Sequence, residues 1–545
     1  MLGTMQDTPL SVARLLEYGS TVHADQEVIT WTGEGVTRVS YGEVGRRCAR
    51  LAHALQGLGV TGDERVATFM WNNVEHLECY FAIPAMGAVV HTLNIRLFPE
   101  QLIHVVNHAQ DHAIIVNPTL VPLLSPHLSA MPTVKHIIVT GNDASAIQAP
   151  DWMSVHSYEQ LIADQPDVYE WPELDERTAA GMCYTSGTTG EPKGVLYSHR
   201  SIWLHTMQLC MTDGMALRQG ELSLAIVPQF HAMSWGLPYA AFMVGASLLM
   251  PDRFLQPAPL AEMIETLKPT FAAAVPAIWQ GLLLYLEDHD ADITSLRNAV
   301  VGGSTVPPSL MHAYEEKHGV TVLHAWGMTE TSPLASVAYC PAGAADDEGW
   351  GYRYSQGRLP ATITARIKGD NGNILPFDGV SIGEIQLRGP WVAASYYGID
   401  TPEKFDDGWL CTGDIGKISP DGYLTLTDRS KDIIKSGGEW ISSVDMENAV
   451  MGHPDVLEAA VIGIPDEKWD ERPLVAVALR ENSTVTTQEL QEFLTDKVVK
   501  WQLPENWARV PEIPKTSVGK FDKKNLRGQF QNGVLVVEHL QSPSR

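Results

Sequence analysis

A run of small and hydroxyl-bearing residues followed by a lysine is the sharpest chemical signal in the chain. Residues 184–194 read Tyr-Thr-Ser-Gly-Thr-Thr-Gly-Glu-Pro-Lys-Gly. Gly187 and Gly190 let the backbone approach a ligand closely, and successive N–H groups beside the hydroxyls of Ser186, Thr188 and Thr189 form an anion nest. Lys193 adds a positive charge for phosphate. The P-loop spacing is absent, so the run predicts a phosphate loop of another type, with a flexible surface turn as the alternative.

This run resembles the phosphate-binding signature of the adenylate-forming enzymes, which include acyl-CoA synthetases, firefly luciferase and the adenylation domains of peptide synthetases. The resemblance covers nearly the whole chain, because further motifs of that family follow in order. It implies that the loop binds the phosphates of ATP and that one of its hydroxyls, on Thr188, takes part in catalysis. The other phosphate-binding residues that it implies are Thr185, Ser186, Gly187, Thr189 and Lys193.

The nucleotide itself is expected at two further segments. Residues 326–330, Trp-Gly-Met-Thr-Glu, resemble the family's aromatic-G-x-T-E motif. A planar side chain can stack on adenine and a carboxylate can hold Mg²⁺. By resemblance, Trp326 binds adenine, Thr329 binds phosphate and Glu330 binds the metal, with Gly327 and Met328 completing the motif. Gly302, Gly303 and Ser304, after the apolar residues 299–301, resemble the loop beside the adenine and the acyl carboxylate.

The C-terminal motifs imply a two-step reaction with a moving domain. Residues 412–414, Thr-Gly-Asp, resemble the motif whose aspartate, here Asp414, binds the ribose hydroxyls together with Arg429. Taken alone, Thr-Gly-Asp is typical of an Asx turn. Residues 428–440 resemble the family's hinge and the segment after it, with Lys431 at the pivot. The residues that would line a coenzyme A tunnel after rotation are Lys435, Gly437, Gly438 and Glu439.

The last motif, residues 514–520, ends in Lys520. By resemblance this is the catalytic lysine, and a lysine that bridges the carboxylate and the α-phosphate stabilises the negative charge of the transition state. Residues 228–238 resemble the segment that lines the acyl pocket. There His231 and Gly303 lie beside the expected carboxylate, and Trp235 is placed to gate an acyl tunnel.

The sequence therefore predicts an ATP-dependent acyl-CoA ligase that uses ATP, Mg²⁺ and coenzyme A. Residues 435–443 and 469–473 resemble bacterial medium- and long-chain fatty acid ligases, a branch that also contains 3-methylmercaptopropionate ligases. The acid is expected to be 3-methylmercaptopropionate or a short- or medium-chain fatty acid. The alternatives are a long-chain fatty acid, an acceptor other than coenzyme A, and a non-catalytic nucleotide sensor.

Composition restricts the partners. The chain has 545 residues and a formal charge of −27, which repels nucleic acid and anionic lipid, so neither nucleic acid binding nor stable membrane anchoring is expected. Residues 428–545 hold 15 Lys and Arg against 19 Asp and Glu, and this nearly balanced part can bring cations to anionic small-molecule substrates. Six scattered cysteines and no signal peptide predict a cytoplasmic protein. The family resemblance leaves a homodimer open.

The elements that must position these residues follow an α/β pattern. Strands and helices alternate from residue 40 to 116 and again from 260 to 289, which predicts parallel sheets. Short strands between Gly-containing turns at 351–426 predict a β-rich subdomain. We therefore expect a large N-terminal domain at 1–429 and a small, mobile α+β domain at 430–545, with the hinge at 428–432.

Overall fold

The computed structural model describes residues 1, 3–185, 191–437, 439–516 and 520–540. The described strands form three sheets of seven, fifteen and six strands, and helices pack against them. This is the α/β fold that the sequence predicts. Within those ranges, no helix has both the length and the apolar character that crossing a bilayer requires.

The helices are α1 Val12–Val22, α2 Tyr41–Gly57, α3 Val74–Ala85, α4 Pro99–Ala109, α5 Val121–Leu124, α6 Tyr158–Ala163, α7 His199–Cys210, α8 Leu237–Val244, α9 Pro257–Leu267, α10 Pro276–Asp288, α11 Pro308–His318, α12 Asp346–Tyr354, α13 Ser443–Met451, α14 Thr487–Phe493 and α15 Lys523–Gln531. Short 3₁₀ segments lie at Pro118–Leu120, Ser125–Ala130, Ala232–Gly236, Thr329–Thr331, Pro402–Lys404 and Lys500–Gln502.

The strands are β1 Glu27–Trp31, β2 Val36–Ser40, β3 Arg65–Phe69, β4 Val89–Thr92, β5 Asp111–Val116, β6 His136–Val139, β7 Ser154–Ser157, β8 Ala179–Tyr184, β9 Gly194–Ser198, β10 Leu222–Leu224, β11 Ser247–Met250, β12 Phe271–Ala274, β13 Asn298–Val301, β14 Thr321–Gly327, β15 Leu334–Val337, β16 Gly357–Arg358, β17 Thr364–Lys368, β18 Ile374–Leu375, β19 Gly383–Arg388, β20 Phe405–Asp406, β21 Trp409–Ile418, β22 Tyr423–Arg429, β23 Ile434–Ser436, β24 Glu439–Ile441, β25 Val456–Asp466, β26 Asp470–Leu479, β27 Asn506–Arg509 and β28 Val537–His539.

The seven-stranded sheet has the order β7-β6-β5-β3-β4-β8-β9 and is parallel except for the β8–β9 pair. Helices cover it because its strands are apolar on both faces. Spacings of four, three and four residues predict that Val44, Cys48, Leu51 and Leu55 share one face of α2, and all four are fully buried. The Ser40 side chain caps this helix by accepting from the Glu43 N–H.

Strand pairing in the fifteen-stranded sheet changes from parallel to antiparallel across the sheet. Strands β10, β11, β12, β13 and β14 pair in parallel, whereas the strands from β15 to β22 pair antiparallel and form the expected β-rich region. Loops that follow β12, β13 and β14 leave the sheet at its carboxyl edge, where α/β proteins bind ligands. The glycine pair 302–303 and Trp326 lie at this edge.

The six-stranded sheet begins at Ile434 and contains the long antiparallel pair β25–β26. Helices α13, α14 and α15 belong to the same part of the chain. The strand before it, β22, ends at Arg429 in the large sheet. Residues between these two strands include Lys431, the expected pivot.

Three histidines recur at a spacing of four residues, His104, His108 and His112, which predicts one helical face. That prediction is wrong for His112, because α4 ends at Ala109 and His112 lies in β5. Gln110, with φ of 56°, turns the chain out of the helix. Among the described residues no cluster of His, Cys, Asp and Glu has a geometry that could hold a metal ion.

Candidate active site

A cavity of about 280 Å³ lies at the carboxyl edge of the large sheet. It gathers residues from seven separate motifs of the sequence. The expected site residues that line it are Thr185, Lys193, His231, Trp235, Gly302, Gly303, Trp326, Gly327, Met328, Thr329, Glu330, Arg429, Lys431 and Lys520. A second cavity of about 200 Å³ shares several of these residues and adds Ser304 and Asp414.

Some expected residues lie elsewhere. Ser186, Gly187, Thr188, Thr189 and Gly438 fall outside the described residues. Lys435, Gly437 and Glu439 are exposed and do not line either cavity. The Lys435 N–H donates to Glu471 Oε2 at 2.9 Å, and the Gly437 N–H donates to the Trp469 carbonyl. In this structure the described residues of the hairpin therefore do not contribute to the cavity that holds Lys520.

Lys520 approaches the glycine loop that follows β13. Its Cε lies 3.6 Å from the position that a Cβ would take on Gly303, whose φ is +88°. Any side chain at Gly303 would be strained, would crowd Val275 and would contact Lys520. Burial, followed by the charge of the neighbouring Arg429, lowers the pKa of Lys520 to about 8, although Asp414 and Glu330 oppose the shift. Lys520 is therefore surrounded by charged groups, and its pKa lies close to neutral pH.

Asp414 is fixed by two donors. Trp326 Nε1 donates to Asp414 Oδ2 at 2.9 Å, and Arg429 Nε pairs with Oδ1 at 3.0 Å. The carboxylate is only 3% exposed, so its orientation is set before any ligand arrives. Asp414 raises the pKa of Arg429, which keeps that guanidinium charged.

The other face of the main cavity leads to an apolar pocket. His231 and Trp235 line the main cavity and also a cavity of about 80 Å³, whose walls include Ile226, Val227 and Ile278. Four consecutive residues, 232–235, have positive φ and are buried, which turns the Trp235 ring into the space between the two cavities. Burial lowers the pKa of His231 to about 3, so this histidine is neutral.

Sequence reasoning missed His324, which lies two residues before Trp326 and lines the second cavity. It is 2% exposed, and its Nδ1 has no hydrogen-bond partner among the described residues. Burial lowers its pKa to about 4, although the backbone carbonyls of Tyr354 and Ser355 oppose the shift. The ring is therefore neutral. A single sequence carries no sign of this, because an isolated histidine inside an apolar strand is typical of a core residue.

Sequence reasoning also missed Tyr396, which lines the main cavity. Its hydroxyl donates to Glu330 Oε1 at 2.6 Å. The pairing joins residues 66 positions apart in the chain, so no local pattern indicates it.

The site has the arrangement of a nucleotide-binding α/β protein. The C-terminal part of the chain contributes a cationic side chain, Lys520, to it. Comparison with known families agrees. The family described as "AMP-binding enzyme" matches residues 16–397. The family described as "AMP-binding enzyme C-terminal domain" matches residues 445–520. The chain belongs to the AMP-binding enzyme family.

The chain is 41% identical to a 3-methylmercaptopropionyl-CoA ligase of Ruegeria lacuscaerulensis, over 98% of this chain and 100% of the relative. It is 42% identical to a medium-chain-fatty-acid–CoA ligase of Ectopseudomonas oleovorans, with 98% of each chain covered. It is also 42% identical to a long-chain-fatty-acid–CoA ligase of Thermus thermophilus, with 97% of each covered.

The crystal structure of the anthranilate CoA ligase AuaEII in complex with anthranoyl-AMP superimposes with a TM-score of 0.87 at 26% identity. The match covers 97% of this chain and 100% of that chain. The large N-terminal part and smaller C-terminal part of this chain are therefore those of an adenylate-forming enzyme.

Proposed function

We propose that this protein is an ATP-dependent acyl-CoA ligase. The observation that carries the proposal is the position of Lys520, which lies in one cavity with Lys193, Glu330 and Trp326. In the first step the carboxylate of the acid attacks the α-phosphorus of ATP, which forms the acyl-adenylate and releases pyrophosphate. Lys520 stabilises the charge that gathers between the two reacting groups. The relatives' names support the same reaction.

Glu330 fits the role of magnesium ligand. It offers hard carboxylate oxygens in the main cavity, and its neighbour Tyr396 is a neutral donor that leaves the negative charge uncancelled. Bound Mg²⁺ would neutralise part of the phosphate charge. Lys193 and Thr185, which line the same cavity, would hold these phosphates.

In the second step the coenzyme A thiol replaces AMP. We propose that residues 430–545 rotate about Lys431 relative to residues 1–429, removing Lys520 and bringing in the hairpin with Lys435, Gly437 and Glu439. The proposal is supported by the exposure of that hairpin while Lys520 occupies the cavity. The six free cysteines agree with a cytoplasmic location for this enzyme.

The acid is proposed to be short. The apolar cavity beyond Trp235 measures about 80 Å³, roughly half the ~150 Å³ of an engineered cavity that accepts benzene. Its apolar lining suits an alkyl or thioether chain and provides little for a strongly polar one. A short fatty acid or 3-methylmercaptopropionate therefore fits with Trp235 in place, whereas a long chain requires Trp235 to move.

A panel of acids tests the reaction and its chain length together. We expect acid-dependent formation of AMP and acyl-CoA to be most efficient with 3-methylmercaptopropionate and straight chains of roughly four to six carbons. Replacing Trp235 with Ala should raise kcat/KM for octanoate by about tenfold, since two further buried methylenes contribute roughly 1.6 kcal/mol. The exposed Trp152, changed to Ala, is the control and should leave the profile unaltered.

Each alternative has its own signature in that panel. A maximum at 12 to 16 carbons in the unmodified protein would contradict the small-cavity proposal. Pyrophosphate release without consumption of coenzyme A would indicate another acceptor. Binding of ATP without turnover of any acid would indicate a nucleotide sensor.

We further propose that His324 recognises the adenine edge. The backbone carbonyls beside its ring favour the tautomer with Nε2 protonated, which leaves Nδ1 to accept from the adenine amino group. Replacing His324 with Leu should weaken ATP binding by about tenfold, the value of one lost hydrogen bond. Binding of purine riboside triphosphate, which lacks that amino group, should not change. Equal loss for both nucleotides would show that His324 is only a packing residue.

A further inference from the structure

Residues 391–397, which we name the strap, connect the two charged groups of the main cavity. On one side, the strap holds Glu330 twice. The Ala393 N–H donates to the Glu330 carbonyl at 2.8 Å, and the Tyr396 hydroxyl donates to its Oε1 at 2.6 Å. The backbone and the carboxylate of this one residue are therefore fixed by the same segment.

On its other side the strap holds the end of the phosphate loop. The Tyr397 N–H donates to the Gly194 carbonyl at 2.9 Å. The Lys193 ammonium lies 5.0 Å from the centroid of the Tyr396 ring, within the distance of a cation–π contact. One side chain, Tyr396, thus contacts both the lysine and the carboxylate.

The Tyr396 side chain is itself rigid. It is only 6% exposed, and its ring packs edge-on against Phe405 at 5.4 Å between centroids. Its orientation is therefore set without a ligand.

A neutral tyrosine suits this position for an electrostatic reason. A cationic donor on Glu330 would compete with a metal ion, whereas the hydroxyl orients the carboxylate and leaves its charge intact. The ring face likewise steadies the Lys193 ammonium without neutralising it. Both charges stay available for a metal–phosphate ligand between them.

We infer that Tyr396 is a positioning residue for the adenylation step, which orients Glu330 toward the metal ion and Lys193 toward the phosphates. This inference rests on the proposed function. It assigns two separable contributions to one side chain, because the hydroxyl acts on the carboxylate and the ring acts on the lysine.

Titration calorimetry with ATP separates the two contributions. In Tyr396→Phe, the gain in ATP affinity that Mg²⁺ provides should fall by about tenfold, the effect of one hydrogen bond to a charged group. Affinity for ATP in EDTA should stay within about twofold, because the ring remains. In Tyr396→Leu, affinity in EDTA should fall as well. Tyr397→Phe changes the neighbouring tyrosine of the strap and is the control, expected to behave as the unmodified protein.

The half-reactions give a second readout. Tyr396→Phe should slow acid-dependent pyrophosphate release and leave transfer from preformed acyl-adenylate to coenzyme A within about twofold, since pyrophosphate and its metal have then departed. Unchanged magnesium dependence in Tyr396→Phe, or equal slowing of both half-reactions, would overturn the inference. If the unmodified protein formed no acyl-adenylate with any acid, the proposed function would fail, while calorimetry would still test the orientation of Glu330.

Discussion

Replacing Lys520 with Ala should slow acid-dependent pyrophosphate release by about 10² to 10³-fold, the usual cost of removing one preorganised group from a developing charge. Lys520 lies close to Gly303, at the carboxyl edge where the acid and the α-phosphate are proposed to meet. Transfer of a preformed acyl-adenylate to coenzyme A should stay within about twofold, because Lys520 leaves the cavity before that step in the proposed mechanism.

Pyrophosphate release and thioester formation from synthetic acyl-adenylate are measured separately for this comparison. Lys524→Ala is the matched control, because Lys524 is an exposed lysine of the same segment that does not line the cavity. Full adenylation by Lys520→Ala would refute the assigned role, and equal loss in both steps would indicate a folding defect instead.

Lys520 also sets the expected pH dependence of adenylation. Burial lowers the pKa of Lys520 to about 8, so the ammonium form is present below that pH and is lost above it. For the free enzyme, kcat/KM for adenylation should therefore fall as pH rises through about 8. In Lys520→Ala this descending limb should disappear from the residual activity.

Replacing Asp414 with Ala should lower kcat/KM for ATP by about 100-fold or more, the effect of losing two hydrogen bonds to a charged acceptor. The carboxylate is oriented by Trp326 and Arg429 and is proposed to accept from both ribose hydroxyls. Unlike Lys520→Ala, this change should impair both half-reactions, since the ribose is present in ATP and in the acyl-adenylate.

Comparison of ATP with 2′,3′-dideoxy-ATP isolates the ribose contacts. The unmodified protein should discriminate strongly between them, and Asp414→Ala should treat them nearly alike. Asp421→Ala, at an exposed turn between β21 and β22, is the control. Persistent discrimination in Asp414→Ala would place the ribose elsewhere, and thermal unfolding shows whether the unpaired Arg429 has destabilised the fold.

Local sequence patterns were sufficient for much of the fold. The spacing of Val44, Cys48, Leu51 and Leu55 predicts the buried face of α2, because side chains three and four residues apart share one side of a helix. The spacing of four residues from His104 to His108 and His112 would continue the helical face past Ala109. Gln110 ends the helix there, and periodicity alone does not show that end.

The candidate site, like the fold, could be predicted only in part from the sequence. The sequence by itself determined the family and the residue types that the chemistry needs, since motifs such as 184–194 and 326–330 carry their own hydroxyls, carboxylate and aromatic ring. Only the tertiary structure decided that Lys520 meets Gly303, that Tyr396 joins Glu330 to Lys193, and that a small cavity lies behind Trp235. These are contacts between residues far apart in the chain, and they depend on how sheets and loops pack, which local spacing does not specify.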